Sequence, residues 1–89
     1  MRESFIEKKV SDYAKLLGWI SYKFTSPQNR GVPDHIYFRE GHTILIEFKA
    51  PGKLPTKLQQ KHIQRLQDQL IHVYVVDDIE QGKEIFNAY

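Results

Sequence analysis

The sequence has 89 residues, of which 40% are hydrophobic and 27% charged, and this balance predicts one globular domain with a single small core. It contains no cysteine, which excludes disulfides, thiolate zinc sites and cysteine nucleophiles, so any metal site must use carboxylates, histidines or backbone oxygens. The net charge of +2 is too small to identify a nucleic-acid partner by itself.

The first half of the chain predicts one helix and three strands. Ile6, Val10, Tyr13 and Leu17 repeat at helical spacing, and Gly18 is a suitable stop for that helix. The helix lacks the apolar core of a signal peptide, so we expect a cytoplasmic protein. The predicted elements are a helix over residues 3–17, a strand over 19–24, a loop over 26–33, and strands over 35–38 and 43–49 joined by a turn at 40–41.

The second half predicts a helix, a strand and a short last helix. Proline and glycine interrupt the chain at residues 51–55, before a helix over roughly residues 56–70. Residues 73–76 form a continuous apolar run, which is typical of a strand buried on both faces, and Asp77 or Asp78 can cap the last helix. The order αβββαβα predicts an α/β fold, with a mixed sheet flanked by helices.

Residues 50–67 are locally basic although the whole chain is nearly neutral. This segment has no acidic residue and carries Lys53, Lys57, Lys61 and Arg65. Such a patch can attract phosphates, but charge alone favours the simpler interpretation of a solvated helix face.

The hairpin register predicts that two carboxylates face each other. If Glu40 and Gly41 are the two turn residues, Asp34 stands opposite Glu47 and their Cβ atoms lie about 4.5–5.5 Å apart. Alternation along the strand turns Lys49 to the same face. Two facing carboxylates repel unless a cation lies between them, and a hard divalent ion such as Mg²⁺ suits that position. With Lys49 beside it, the group is suited to phosphodiester hydrolysis by a metal-activated water. The alternative is a purely structural role for these residues. Glu47 and Lys49 would then lie on an ordinary exposed strand face, and Pro33-Asp34 would only start a turn.

The residues of this region resemble the VRR-NUC branch of the PD-(D/E)XK nucleases. The resemblance covers nearly the whole chain and includes the stretches at 23–27, 31–34, 46–52, 58–59 and 73–77. It implies one restriction-endonuclease-like domain over 1–89. It also implies Mg²⁺, with Mn²⁺ able to substitute, held by Asp34, Glu47 and the backbone carbonyl of Phe48, and a catalytic role for Lys49.

Two further site residues are expected on the helices. The family uses a glutamate on its first helix, and both its pattern and the position of the apolar stripe favour Glu3 over Glu7. Gln59 lies on the inward stripe of the second helix with Ile63, Leu66 and Leu70, where a buried amide needs partners. It could bind a metal-bound water, Lys49 or a substrate phosphate, or it could simply be satisfied by backbone groups.

The resemblance to stand-alone phage and bacterial members implies a substrate and an assembly. We expect a homodimer that resolves four-way DNA (Holliday) junctions, in the cytoplasm of a bacterium or a phage-infected host cell. Lys23, Arg30 and Lys53 are the expected phosphate contacts. The alternatives are a restriction-like or nicking nuclease on ordinary duplex DNA, and a non-catalytic DNA-binding module. The four histidines show no metal-ligand spacing, and His35 is expected to face away from Asp34.

Overall fold

Seven elements form in the predicted order. The computed structural model describes the whole chain, Met1–Tyr89. Its elements are α1 (Glu3–Leu16), β1 (Ile20–Lys23), β2 (His35–Arg39), β3 (His42–Phe48), α2 (Lys57–Asp68), β4 (His72–Val76) and α3 (Ile79–Asn87). The fold class predicted from the sequence is therefore confirmed. No helix is long and apolar enough to span a bilayer.

The sheet is mixed, with strand order β1-β2-β3-β4. The first two pairings are antiparallel and β3 pairs with β4 in parallel, as the α2 crossover requires. The β2–β3 hairpin has the predicted register, with Arg39 opposite His42 and Ile36 opposite Leu45. Its turn residues both have positive φ, 49° at Glu40 and 83° at Gly41, which matches a two-residue hairpin turn.

The two faces of the sheet are covered unequally. On one face α1 and α3 bury the main core, which includes Ile6, Tyr37, Ile46, Phe48 and Phe86. On the other face α2 alone covers a smaller cluster of Leu45, Ile63 and Val73. A helix is about 10 Å wide and strands are about 4.8 Å apart, so a single helix covers roughly two strands.

The C-terminal end of α1 lies where the sequence predicted it, whereas α2 ends earlier than predicted. Gly18 (φ 93°) ends α1 as predicted, with its N–H donating to Lys15 and the N–H of Trp19 donating to Ala14. Leu70 was placed on the inward stripe of α2, and this is wrong. It lies beyond the helix end with φ 64° and is 87% exposed, because Ile71 N–H donates to the Leu66 carbonyl and turns the chain there.

Candidate active site

The candidate site lies where β2 begins and β3 ends. The Phe24 N–H donates to the Asp34 carbonyl at 2.9 Å, so pairing with β1 extends one residue beyond β2. The β2–β3 register, continued by one pair beyond His35–Ile46, puts Asp34 opposite Glu47. Both residues therefore belong to the face that α2 covers, as the sequence predicted.

Glu47 is a buried carboxyl in a crowded electrostatic environment. Its side chain is only 12% exposed. Burial is the largest cause that raises the pKa of Glu47 to about 7; the positive charge of Lys49 opposes this, and the negative charges of Asp34 and Glu3 add to it. Two acidic groups, Asp34 and Glu3, thus act on the Glu47 carboxyl, and the positive charge of Lys49 opposes them.

Lys49 and Gln59 approach the same oxygen of Glu47. The Lys49 ammonium lies 3.9 Å from Glu47 Oε2, and its side chain is only 14% exposed. The Gln59 amide Nε2 donates to Glu47 Oε2 at 3.5 Å. The structure therefore brings together four of the predicted side chains, Asp34, Glu47, Lys49 and Gln59.

Gln59 has two roles in the structure. Thr56 caps α2 by accepting from the Gln59 backbone N–H, while Gln59 Oε1 accepts the Thr56 N–H at 2.9 Å. The amide oxygen is thus satisfied by backbone, and the amide nitrogen remains for Glu47. The spacing Thr-x-x-Gln is a capping-box pattern, so this cap could have been found in the sequence.

Gly31 sets the distance between the β1–β2 loop and α2. Its φ is 84°, and a Cβ there would lie 3.1 Å from Leu58 Cγ and 3.2 Å from the Gln59 nitrogen. A side chain would therefore be strained both by the backbone conformation and by contact. Glycine allows the loop that leads to Asp34 to pack against the first turn of α2, which carries Gln59.

His35 is the residue that the sequence prediction missed. Its ring is buried on the α1 side, as alternation predicts, and packs edge-on against Phe48. However, His35 Nδ1 lies 2.7 Å from Asp34 Oδ1, and Nε2 lies 2.8 Å from Glu7 Oε1. His35 does face the opposite side of the sheet from Glu47, as predicted, but the Asp34 carboxylate turns toward its neighbour's ring, a contact that the prediction did not include. Neither contact has the geometry of a hydrogen bond, so both are close polar contacts.

The two glutamates of α1 lie in different environments. Glu3 is exposed in the first turn, and its charge raises the pKa of Glu47. Glu7 contacts His35 and also lies 3.6 Å from the Lys23 ammonium. The electrostatic contact with Glu47 therefore belongs to Glu3, the residue that the sequence favoured.

The three residues that were expected to contact phosphates do not lie together. Lys23 lies on the α1 face and lines a concavity of about 330 Å³ with Glu7, Ser11 and His35, away from Glu47. Arg30 and Lys53 are exposed and form no ion pair, which leaves them free for phosphates. A larger concavity of about 560 Å³ lies between the β1–β2 loop and α2, at Asn29, Val32 and Arg65. Neither of these two concavities is lined by Asp34 or Glu47.

Comparison with known proteins identifies the family. A solved structure of a VRR_NUC domain is 21% identical and superposes with a TM-score of 0.88, covering 98% of this chain and 96% of the other, which shows the shared fold. A protein named "Putative nuclease p44", from Acyrthosiphon pisum secondary endosymbiont phage 1, is 43% identical over 99% of this chain and 95% of its own length. The chain therefore belongs to the family of this phage nuclease, and it has the VRR_NUC fold. No protein-family model matches the chain.

The carboxylates of Asp34 and Glu47 are the oxygen donors with which this site would hold a hydrated Mg²⁺ ion. Nowhere in the chain do three histidine or acidic side chains come together as a ligand group for a metal ion. Mg²⁺ usually takes one or two carboxylates and keeps several waters. The crowding of Glu47 by Asp34 and Glu3 is the observation that favours a cation here, since the added charge would relieve it.

Proposed function

We propose that the chain is a Mg²⁺-dependent endonuclease that hydrolyses phosphodiester bonds in DNA. One observation carries the proposal: Asp34, Glu47, Lys49 and Gln59 converge where β2 begins and β3 ends, and Glu47 is held almost out of solvent. A purely structural surface would not need a carboxyl and a lysine side chain held together with so little exposure to solvent. Family membership makes a nuclease activity the expected use of that group.

The side chains have distinct tasks in this proposal. Asp34 and Glu47, with the backbone carbonyl of Phe48, would hold the ion, which when bound supplies an activated water and neutralises phosphate charge. The Lys49 ammonium, already directed at Glu47, stabilises negative charge that develops on the phosphate. The Gln59 amide donates to Glu47 and keeps its carboxylate in place. Glu3 acts through its charge at the edge of the group.

We further propose that the substrate is branched DNA, with the Holliday junction as the first choice, and that the enzyme acts as a homodimer. A domain of 89 residues offers little area for reading base sequence, which favours recognition of DNA shape. A two-fold dimer would present two sites to two strands, and two-fold symmetry is the commonest arrangement of oligomers. A location in the cytoplasm stays a prediction.

The proposal is tested by cleavage of end-labelled four-way junction, flap, splayed-arm and linear duplex DNAs in Mg²⁺. Wild-type protein should cut the junction faster than the duplex, and Lys49→Ala should lose at least a hundredfold in rate. Lys61→Ala is the matched control, because Lys61 is exposed on α2 and should lose little. Light scattering should give the mass of two chains.

Each alternative has its own outcome in that assay. Equal cutting of junction and linear duplex would replace junction resolution by a restriction-like or nicking activity. Binding of DNA without Mg²⁺-dependent cutting, unaffected by Lys49→Ala, would leave a non-catalytic DNA-binding module. A single-chain mass at micromolar concentration would remove the homodimer.

A further inference from the structure

An exposed apolar row runs along β1, on the same side of the sheet as the carboxylates. Ile20, Tyr22 and Phe24 alternate with polar residues and are 53%, 59% and 39% exposed. Ile20 pairs with Phe38 and Tyr22 with Ile36 in the β1–β2 ladder, so all these side chains share one face. A half-buried strand normally turns such a row toward a core, but here the row faces solvent.

The width of α2 explains the exposure. α2 packs over β3 and β4, where it covers Leu45 and Val73. One helix covers roughly two strands, so β1 on this face has no helix above it. The Tyr22 ring approaches the Phe38 ring edge-on, with ring centroids 6.4 Å apart, and Tyr22 is still 59% exposed. No segment of the chain covers the row.

The row ends at the candidate active site. Phe24 N–H donates to the Asp34 carbonyl, which makes Phe24 and Asp34 opposite residues on neighbouring strands. Opposite side chains have Cβ atoms about 4.5–5.5 Å apart. Phe24, Asp34 and Glu47 are therefore neighbours across three adjacent strands. Tyr22 lies two residues before Phe24, on the same face of β1.

Charge around the row selects the kind of partner. Gly31 packs against Leu58, so the loop carrying Arg30 and the helix start carrying Lys57 lie on the same side of the sheet as the row. Arg30 and Lys57 are exposed and form no ion pair. A nucleic-acid strand offers phosphates to the cations and base faces to the rings, so it matches both features of this surface.

We propose that Tyr22 and Phe24 form a stacking site for an unpaired nucleobase beside the carboxylates, so that cutting is directed to DNA whose bases are splayed at that point. The proposal rests on the proposed nuclease function and names the feature of the substrate that this site reads. Every base has an aromatic face, so such a site selects unpaired bases without selecting a sequence.

Binding without cleavage tests the proposal separately from catalysis. Fluorescein-labelled duplexes that are identical except for one unpaired nucleotide are titrated with protein in EDTA at fixed salt, since salt alone changes affinity for DNA. Wild-type protein should bind the duplex with the unpaired nucleotide about tenfold more tightly than the paired one. Tyr22→Ala and Phe24→Ala should each remove most of that ratio. Tyr22→Phe should keep it.

Ile20→Ala is the matched control, because Ile20 is exposed on the same strand and face but has no aromatic ring. It should keep the binding ratio. The proposal is overturned if wild type binds both duplexes equally, if the alanine variants keep the ratio, or if Ile20→Ala loses it to the same degree. A loss of dimer mass in Tyr22→Ala would assign the row to a second copy instead. If the ratio behaves as expected but Mg²⁺ produces no cutting, the nuclease proposal fails and the stacking site stands.

Discussion

His35 Nδ1 lies 2.7 Å from Asp34 Oδ1 while its other ring nitrogen lies 2.8 Å from Glu7 Oε1. The ring thus connects a carboxylate of α1 to a carboxylate of the candidate site, from a buried position against Phe48. A metal-ligating side chain usually depends on such a neighbour for its orientation, and loss of that neighbour typically costs 10- to 100-fold in affinity or activity. We therefore expect His35 to position Asp34.

His35→Phe should weaken the use of Mg²⁺ by the enzyme. Phenylalanine keeps the ring and its edge contact with Phe48 but removes both nitrogens, so Asp34 loses its orienting contact. We expect cleavage to fall about tenfold or more, and the Mg²⁺ concentration giving half-maximal rate to rise.

Glu7→Gln is the control, because Glu7 contacts the His35 nitrogen that faces away from Asp34. It should shift the Mg²⁺ midpoint less than His35→Phe does. If His35→Phe lowers thermal stability but leaves the Mg²⁺ midpoint where it was, the ring has only a structural role.

Glu47→Gln should stabilise the metal-free protein above neutral pH. The pKa of Glu47 is raised to about 7 from an ordinary 4.5, chiefly by burial, so the folded state holds the proton more tightly than the unfolded state. The stability that this group contributes is fully present below pH 4.5 and is lost as pH rises through 7. At pH 8 in EDTA the variant should be more stable than wild type by up to about 3 kcal/mol, and at pH 4.5 the difference should be small.

Urea unfolding at the two pH values measures this effect, and Mg²⁺ adds an internal check. At pH 8 Mg²⁺ should stabilise wild type, because an ion beside ionised Glu47 removes the unfavourable burial of charge. It should not stabilise Glu47→Gln. Equal stability differences at pH 4.5 and pH 8 would contradict the buried-carboxyl interpretation.

The hairpin register could be predicted from sequence because a two-residue turn leaves no freedom in the pairing that follows it. Once Glu40 and Gly41 are the turn, alternation fixes which side chains share a face with Asp34 and Glu47. The same holds for Gly18, whose positive φ ends α1. Local backbone chemistry determines these features, and local chemistry is visible in the sequence.

The contacts of His35 and the exposure of β1 could not be predicted in the same way. The first depends on how α1 lies across β2, and on the side-chain rotation that turns Asp34 toward the ring. The second depends on the position of α2, because alternation of Ile20, Tyr22 and Phe24 predicts a covered face wherever a covering element exists. Both depend on packing between elements distant in the sequence.

Glu40→Asn should stabilise the protein by about 0.5–1 kcal/mol. Glu40 holds φ at 49°, a conformation that costs most side chains energy and that asparagine adopts more readily. The side chain is exposed, so no packing is lost. Chemical denaturation should show a higher midpoint with an unchanged slope. Glu80→Asn, an exposed helical glutamate, is the control and should show no gain.

Gln59→Ala and Thr56→Ala should have similar effects on stability and different effects on activity. Each variant breaks the same capping box, so each should lose about 0.5–2 kcal/mol in unfolding free energy. Only Gln59→Ala also removes the amide that donates to Glu47.

We therefore expect cleavage by Thr56→Ala to stay within about threefold of wild type, and cleavage by Gln59→Ala to fall about tenfold or more, the loss typical of an orienting partner. Rates are measured at a temperature where circular dichroism shows both variants fully folded. Equal rates in the two variants would reduce Gln59 to a helix cap. Unequal rates would place its amide in the group that holds Glu47, since the cap is broken in both proteins.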